Sequence, residues 1–464
     1  MAEFATEPPH VIDVPASLPP TASHPALSAG LFRVLWRWHF YAGMIVGPVL
    51  FVMALTGALY LFKDEIADWA YYRLNHVVVQ GARRPLNEQV ERAASAIQQS
   101  APELVPWRIT VSPPEDLSTQ VTFRGGQPVR FLQVFVDPYS ARVLGTTDFE
   151  GGLASFFMTV LMIHREFGAG TIGRVISELT TCWTIILLIT GISLWWPRSW
   201  TRSKGVWIPR WRVKLYTRLR DLHAISGAVL LPVFVCITVT GLWYTVFLGT
   251  NFQWIAENVE HGKLPFVITE VNNTNRSQKE DVEKYEPREF ADWPTGQLEA
   301  LVALAQKKYP DKQVYLSLEN HVPGKAEGGA FTPEGTAGPL FLESFTVDLA
   351  SQTITETENL ARQSITHWWR MWNYPLHVGS VLGLFTKLIW FIAALALMLL
   401  PMTGLWMWWE RRPTKTWGLP RHPEVKIPRS LTGVILLLCA LMPLAGASVA
   451  VILVGDWIYH RMRN

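Results

Sequence analysis

Of the twelve histidines in the chain, four stand in duplicated surroundings. His39 is followed by Gly43, Pro48 and Thr56-Gly57, and His223 by Gly227, Pro232 and Thr240-Gly241, at the same offsets of 4, 9, 17 and 18 residues. A second pattern joins His164 to Thr190-Gly191 and Trp195-Trp196, and His377 to Thr403-Gly404 and Trp408-Trp409, at offsets of 26, 27, 31 and 32. All four lie in or beside apolar runs, where a histidine is costly unless neutral, hydrogen-bonded or bound to a metal. One such residue reads as readily as a satisfied structural group. Four at repeated positions read as ligands. Neutral imidazole is a standard axial ligand of haem iron, and two per iron leave no open position, which favours electron transfer over oxygen binding. The expectation is two non-covalent b-type haems, one held by His39 and His223 and the other by His164 and His377. Gly43 and Gly227, one turn after their histidines, would let a flat macrocycle approach the backbone.

Other residues narrow the chemistry. No C-x-x-C-H occurs, so covalent c-type attachment is excluded, and Cys182, Cys236 and Cys439 sit in apolar runs as small buried hydrophobes. His367, His76 and His460 are unrepeated, and each is an alternative ligand for the outer haem. His367 lies among Trp368, Trp369, Trp372 and Tyr374 and could instead contact substrate. His10, His24, His261, His321 and His422 read as surface groups. Arg37 and Arg220 fit haem propionates and fit positive-inside anchoring equally. Gly168-x-Gly170-x-x-Gly173 satisfies the dinucleotide glycine pattern, but no strand precedes it and the position 20 residues on lies in an apolar run.

Composition says what must position these groups. Hydrophobic residues make up 49%, charged residues only 17%, and Trp occurs 22 times, which together exclude a disordered chain and a disulfide scaffold. A net charge of +3 is too small and scattered for a nucleic-acid partner. An integral membrane protein in a lipid bilayer remains. Charge-free runs long enough to span a bilayer give five spans: residues 33–62, the end of 153–196 after an amphipathic segment, 221–250, the end of 367–409 after another, and 430–458. Basic loops at 197–220 and 410–429 are cytoplasmic by the positive-inside bias. Residues 1–30 are then a disordered cytoplasmic tail, and 63–152 and 251–366 face outside. The run Glu280, Asp281, Glu283, Glu286 and Glu289 reads as a solvated stretch.

The two outer segments repeat as well. Glu88–Ser100 is a helix, Trp107–Val111 a strand and Phe131–Leu144 a hairpin around Asp137, a turn residue before Pro138. Gln297–Tyr309, Gln313–Leu318 and Phe345–Ile354, with Asp348, repeat the pattern. The hairpin "FLQVFVDPYSARVLG" at 131–145 resembles that of a PepSY domain, and the His-x3-Gly and Thr-Gly helices resemble the PepSY-associated transmembrane family over about residues 33–412. The second hairpin departs from the pattern, with Leu349 in place of Pro and Ser351 in place of Gly. The fold class expected is an α-helical integral membrane bundle: two repeats of span, PepSY-like α+β domain and span, plus a fifth helix.

That family includes iron-regulated inner-membrane proteins and di-haem ferric-siderophore reductases. The resemblance implies a bacterial inner membrane, a cytoplasmic N-terminus, periplasmic domains and an enzyme that reduces a ferric siderophore. No flavin or nicotinamide domain is legible in this chain, so the electron donor is a quinol or a separate reductase. The alternatives are a non-redox siderophore or metal importer and a PepSY regulatory or scaffold protein.

Overall fold

The computed structural model describes residues 29–113, 115–148, 151–197, 200–201, 203–260, 296–318, 325–331, 343–358, 365–413, 418 and 429–463. The acidic run at 280–289 and His10, His24, His261, His321 and His422 lie outside them, as do the side chains of His367 and His460.

The first helix, α1 (Ala29–Tyr60), leads through the short α2 (Lys63–Ala70) and α3 (Tyr72–Asn75) into α4 (Leu86–Ile97). Four strands follow: β1 (Leu104–Val111), β2 (Thr119–Gly125), β3 (Arg130–Val136) and β4 (Val143–Asp148). The chain then returns through α5 (Gly152–Glu166) and α6 (Gly170–Trp195). The second half begins with α7 (Leu215–Val229), α8 (Leu231–Leu242) and α9 (Leu248–Glu260), and resumes at α10 (Gln297–Lys308). Strands β5 (Gln313–Ser317), β6 (Lys325–Phe331), β7 (Glu343–Asp348) and β8 (Thr353–Glu358) precede α11 (Ile365–Val378) and α12 (Leu384–Arg411), with α13 (Arg429–Leu441) and α14 (Pro443–Arg463) last.

The expected five-span helical bundle is corrected on two counts. Among the described residues, three helices are individually long and apolar enough to cross a membrane: Gly30–Tyr60, Gly170–Trp195 and Leu384–Arg411. The pair α7–α8 passes the same test only jointly, bent by 64° at Leu230, so four spans are the most the apolar helices supply. Pro232, in the first turn of α8, has no N–H to offer the Ala228 carbonyl, so the helical ladder lapses there. The expected fifth span is instead two shorter apolar helices, Leu431–Leu441 and Pro443–Gly455. Pro443 opens the second of them, where its missing N–H is harmless. Pro48 and Pro401, by contrast, lie inside continuous helices.

The second correction is that beside the helices stands one large sheet that both halves share. All eight strands form one antiparallel sheet in the order β4-β3-β2-β1-β5-β6-β7-β8. The two soluble halves, expected as separate domains, join edge to edge: β1 pairs with β5 in the register Arg108↔Ser317, Ile109↔Leu316, Thr110↔Tyr315 and Val111↔Val314. A strand edge left bare invites pairing, and here each half covers the other's. The helices α4 and α10 lie on one face over a shared core that includes Val90, Ile97, Ile109, Phe123, Leu301, Leu316 and Val347. Asp137 is the turn residue its sequence suggested, its Oδ1 accepting from the backbone N–H of Tyr139 at 2.9 Å. Ser351 takes up the same task at the second hairpin, donating its backbone N–H and its hydroxyl to Asp348 at 2.7 and 2.8 Å. Those bonds hold the Asp348 carboxyl below its usual range.

Candidate functional site

The helices bring the four repeated histidines together in two pairs. His39 on α1 faces His223 on α7 with ring centroids 6.2 Å apart and planes at 84°. His164 on α5 faces His377 on α11 at 6.3 Å and 61°. The second pair lies toward the sheet, since α1 runs from His39 to Thr56 before entering the soluble part, and the 17-residue step rises about 26 Å. Between the pairs α1 presents Ala42, Val46, Leu50 and Ala54 at four-residue spacing, packed with Trp183, Phe234, Ala393 and Leu397.

Each ring is fixed through Nδ1 by a Thr-Gly step on a neighbouring helix. His164 bonds the Met53 carbonyl at 2.9 Å and the Thr56 hydroxyl at 3.2 Å. His377 bonds the Ile237 carbonyl and the Thr240 hydroxyl, both at 3.1 Å. His223 bonds the Leu400 carbonyl at 3.0 Å and the Thr403 hydroxyl at 3.1 Å. His39 bonds the Thr190 hydroxyl at 2.9 Å, with the Leu187 backbone as its second partner. A carbonyl only accepts, and the threonine hydroxyls donate to their own helices, as Thr56 does to Val52 and Thr403 to Leu399 at 2.7 and 2.8 Å. The proton is therefore on Nδ1, and Nε2 keeps its lone pair. This is how a ligating histidine is oriented in many metal sites.

The glycine of each step makes room for the ring. A Cβ at Gly57, Gly191 or Gly241 would stand 3.2 Å from Cε1 of His164, His39 or His377, and one at Gly404 3.7 Å from Cε1 of His223. The sequence displayed Thr-Gly four times without showing its purpose, because the bond runs to another helix: α1 serves His164, and α6 serves His39.

The arrangement fits haem. Two imidazoles sharing one metal ion through Nε2 at about 2.0–2.1 Å per bond place their ring centres about 6 Å apart. A Cβ at Gly43 would meet nothing within 4 Å, and one at Gly227 would meet only the Leu400 Cδ2, at 3.9 Å. The sheet-side pair opens on a cavity of about 250 Å³ to which α1, α5, α6, α8, α11 and α12 all contribute. Its walls are mostly apolar, with Leu50, Met53, Ile237 and Leu397 among them, and Tyr60, Tyr244, Tyr374, Arg165 and Arg174 supply polar groups. The Tyr244 ring lies 5.6 Å from that of His377, tilted at 55° to it. Among the described residues no cluster of three or more His, Cys, Asp and Glu could hold a metal ion.

The remaining candidates sort differently. His76 ends α3, stacks on Tyr72 at 4.2 Å and bonds Asp116 at 3.1 Å. Arg220 donates to Asp221 at 2.9 Å, and Arg37 lies 5.7 Å over the Tyr41 ring. The glycines at 168–173 form the reversal between α5 and α6: Gly168 and Gly170 have φ of +69° and +55°, and a Cβ at Gly173 would collide with the Glu166 carbonyl. Lys387, 3% exposed, pairs with Glu65 at 2.6 Å. Glu178, fully buried, accepts from the backbone N–H groups of Phe247 and Leu248 at 2.7 and 3.0 Å.

Fold and site together define an integral membrane protein whose candidate spans, with the helices Gly152–Glu166 and Ile365–Val378 beside them, bring four histidines into two pairs next to a sheet built from two duplicated halves. Residues 36–411 match the PepSY-associated TM region, and the chain belongs to that family. A comparison with curated proteins found no match.

Proposed function

We propose that the protein is a di-haem b electron conduit of a bacterial inner membrane and a ferric-siderophore reductase. Its N-terminus lies in the cytoplasm and its sheet in the periplasm. The observation that carries the reading is the pair of facing imidazole couples, each ring tied through Nδ1 so that Nε2 is left to ligate. His39 and His223 would hold one haem, and His164 and His377 the other. A haem held by two imidazoles would supply one-electron transfer.

The chain's own residues do the rest. The Thr-Gly steps fix the tautomer and orientation of each ring, and the packed layer around Phe234 and Trp183 keeps water out between the pairs. A quinol or a separate reductase delivers electrons near His39 and His223. A ferric siderophore accepts one at the sheet side, and the ferrous ion that results binds hard oxygen donors weakly and leaves. Lys387 and Glu178, the charges that a non-redox importer would need for ion coupling, are spent on Glu65 and on the backbone amides after α8.

The test is anaerobic mixing of the dithionite-reduced, desalted protein with a ferric hydroxamate or catecholate and a ferrous trap. The expected result is haem oxidation matched one for one by trapped ferrous iron. Reduced protein that stays reduced against every ferric chelate would remove the reductase reading.

A further inference from the structure

We infer that Tyr374 is the residue through which the sheet-side histidine pair meets its electron acceptor, a ferric chelate docked over the polar pocket between α2 and the start of α12. The inference rests on the haem and reductase reading above and adds where the electron leaves the protein.

A cavity of about 250 Å³ that one ligand fills has no room for a chelate as well. The electron must then cross the cavity wall, and tunnelling favours the thinnest part of it. Among the described residues that line this cavity, Tyr374 alone is exposed, at 40%. It stands three residues before His377 on α11, so the two share a helix face. Tyr374 therefore borders both the cavity that contains His377 and the exterior.

The exterior at this point is polar. Tyr374 and Tyr60 also line a second, smaller pocket of about 40 Å³, together with Lys63 and Asp64 of α2, Ser380, and Lys387 of α12. Lys63 pairs with the exposed Asp64, and Lys387 pairs with Glu65 at 2.6 Å. Ser380 is 2% exposed, and its hydroxyl meets no partner among the described residues. A buried hydroxyl of this kind is completed by water or by a ligand, and the pocket has room for a few ordered waters or the polar edge of a docked molecule. Two ion pairs and an unused hydroxyl suit a chelate whose rim carries oxygen acceptors and amide groups.

The repeat shows that this exit is single. The residue 213 positions before Tyr374 is Leu161, which lines the same cavity from the first half but is only half-exposed and apolar. Duplication therefore does not supply the tyrosine, and the exit belongs to the second half. The transfer moves one electron to the ferric ion, which leaves as ferrous iron. Tyr374 forms and breaks no bond; it is the contact surface and the path.

The test follows oxidation of the dithionite-reduced, desalted protein by stopped-flow absorption. Two acceptors are used: a ferric tris-catecholate, which is an anion, and a ferric trihydroxamate carrying a free ammonium group, which is a cation. Y374L gives this position the residue of the first half. It should keep both haems and slow oxidation at low chelate concentration roughly tenfold, as truncating an aromatic contact does, with half-saturation moved to higher chelate. Haem-replete Y374L that is oxidised at the parent rate would overturn the exit. K63E decides independently, because Lys63 lines the outer pocket and not the cavity. It should slow the anionic chelate and speed the cationic one, changing their rate ratio several-fold at low salt and less as salt screens the charge. An unchanged ratio would place the acceptor elsewhere and overturn the proposal, even where Y374L fails to retain haem. A parent protein that holds two haems and reduces neither chelate would instead remove the reductase reading on which the exit rests.

Discussion

At the residue scale the threonines of the Thr-Gly steps matter as much as the histidines they hold. A ligating ring whose Nδ1–H partner is removed loses its fixed tautomer and part of its basicity, an effect of about 10- to 100-fold in metal affinity. Thr403→Val keeps the shape of the side chain and deletes the oxygen 3.1 Å from His223. The Leu400 carbonyl remains 3.0 Å from the same Nδ1, so the far-side haem should be released faster by about tenfold at most while the sheet-side haem stays, as followed by haem transfer to an apo-globin acceptor. Equal release from both sites would show that the hydroxyl acts on the whole fold. The histidines were legible because duplication repeats them at fixed offsets. Their threonine partners were visible but unassigned, since a contact between helices 108 to 180 residues apart leaves no mark in local spacing.

Elements follow the same logic. The continuous helix α1 runs close to α12 where Gly47 meets Pro401: a Cβ at Gly47 would lie 2.8 Å from the Pro401 Cβ. Proline carries no flexible end that could move aside, so Gly47→Leu must part the two helices. The expected outcome is lower thermal stability, by about 1–3 kcal/mol for overpacking of this kind, with loss of haem from both pairs, measured by denaturation followed at the haem absorption. A variant as stable as the parent would mean that α1 and α12 slide freely. Apolar length and charge were enough to find α1, α6 and α12 in the sequence. They were not enough to place the breaks at Leu230 and Met442. Pro48 and Pro232 hold equivalent positions, yet only the second interrupts its helix, so the sequence pattern around a proline does not by itself decide between a kept and a broken span.

For the whole molecule, the sheet changes what the duplication means. Two α+β units were readable from their helix, strand and hairpin signals, but β2 and β6 were not, and nothing in either half announced the seam between β1 and β5. Strand edges pair through backbone groups that every sequence carries. Ile109 and Leu316 sit opposite each other on that seam, both fully buried. Ile109→Ala and Leu316→Ala should each cost about 2–5 kcal/mol. Because the two face one another, the double variant should lose less than the sum of the singles, and denaturant unfolding of the four proteins measures this. Strict additivity would argue that the halves unfold independently and that the seam adds no cooperativity.

The central claim is that four histidines on duplicated helices hold two haems in two layers, and the measurement closest to it is haem per chain. Detergent-purified protein, expressed with ample haem, is scanned oxidised and after dithionite and its haem quantified, alongside His39→Ala and His223→Ala. The account predicts about two haems per chain with a Soret band that sharpens and shifts on reduction, and about one in each variant. A colourless parent protein, or variants that both keep two haems, would contradict it.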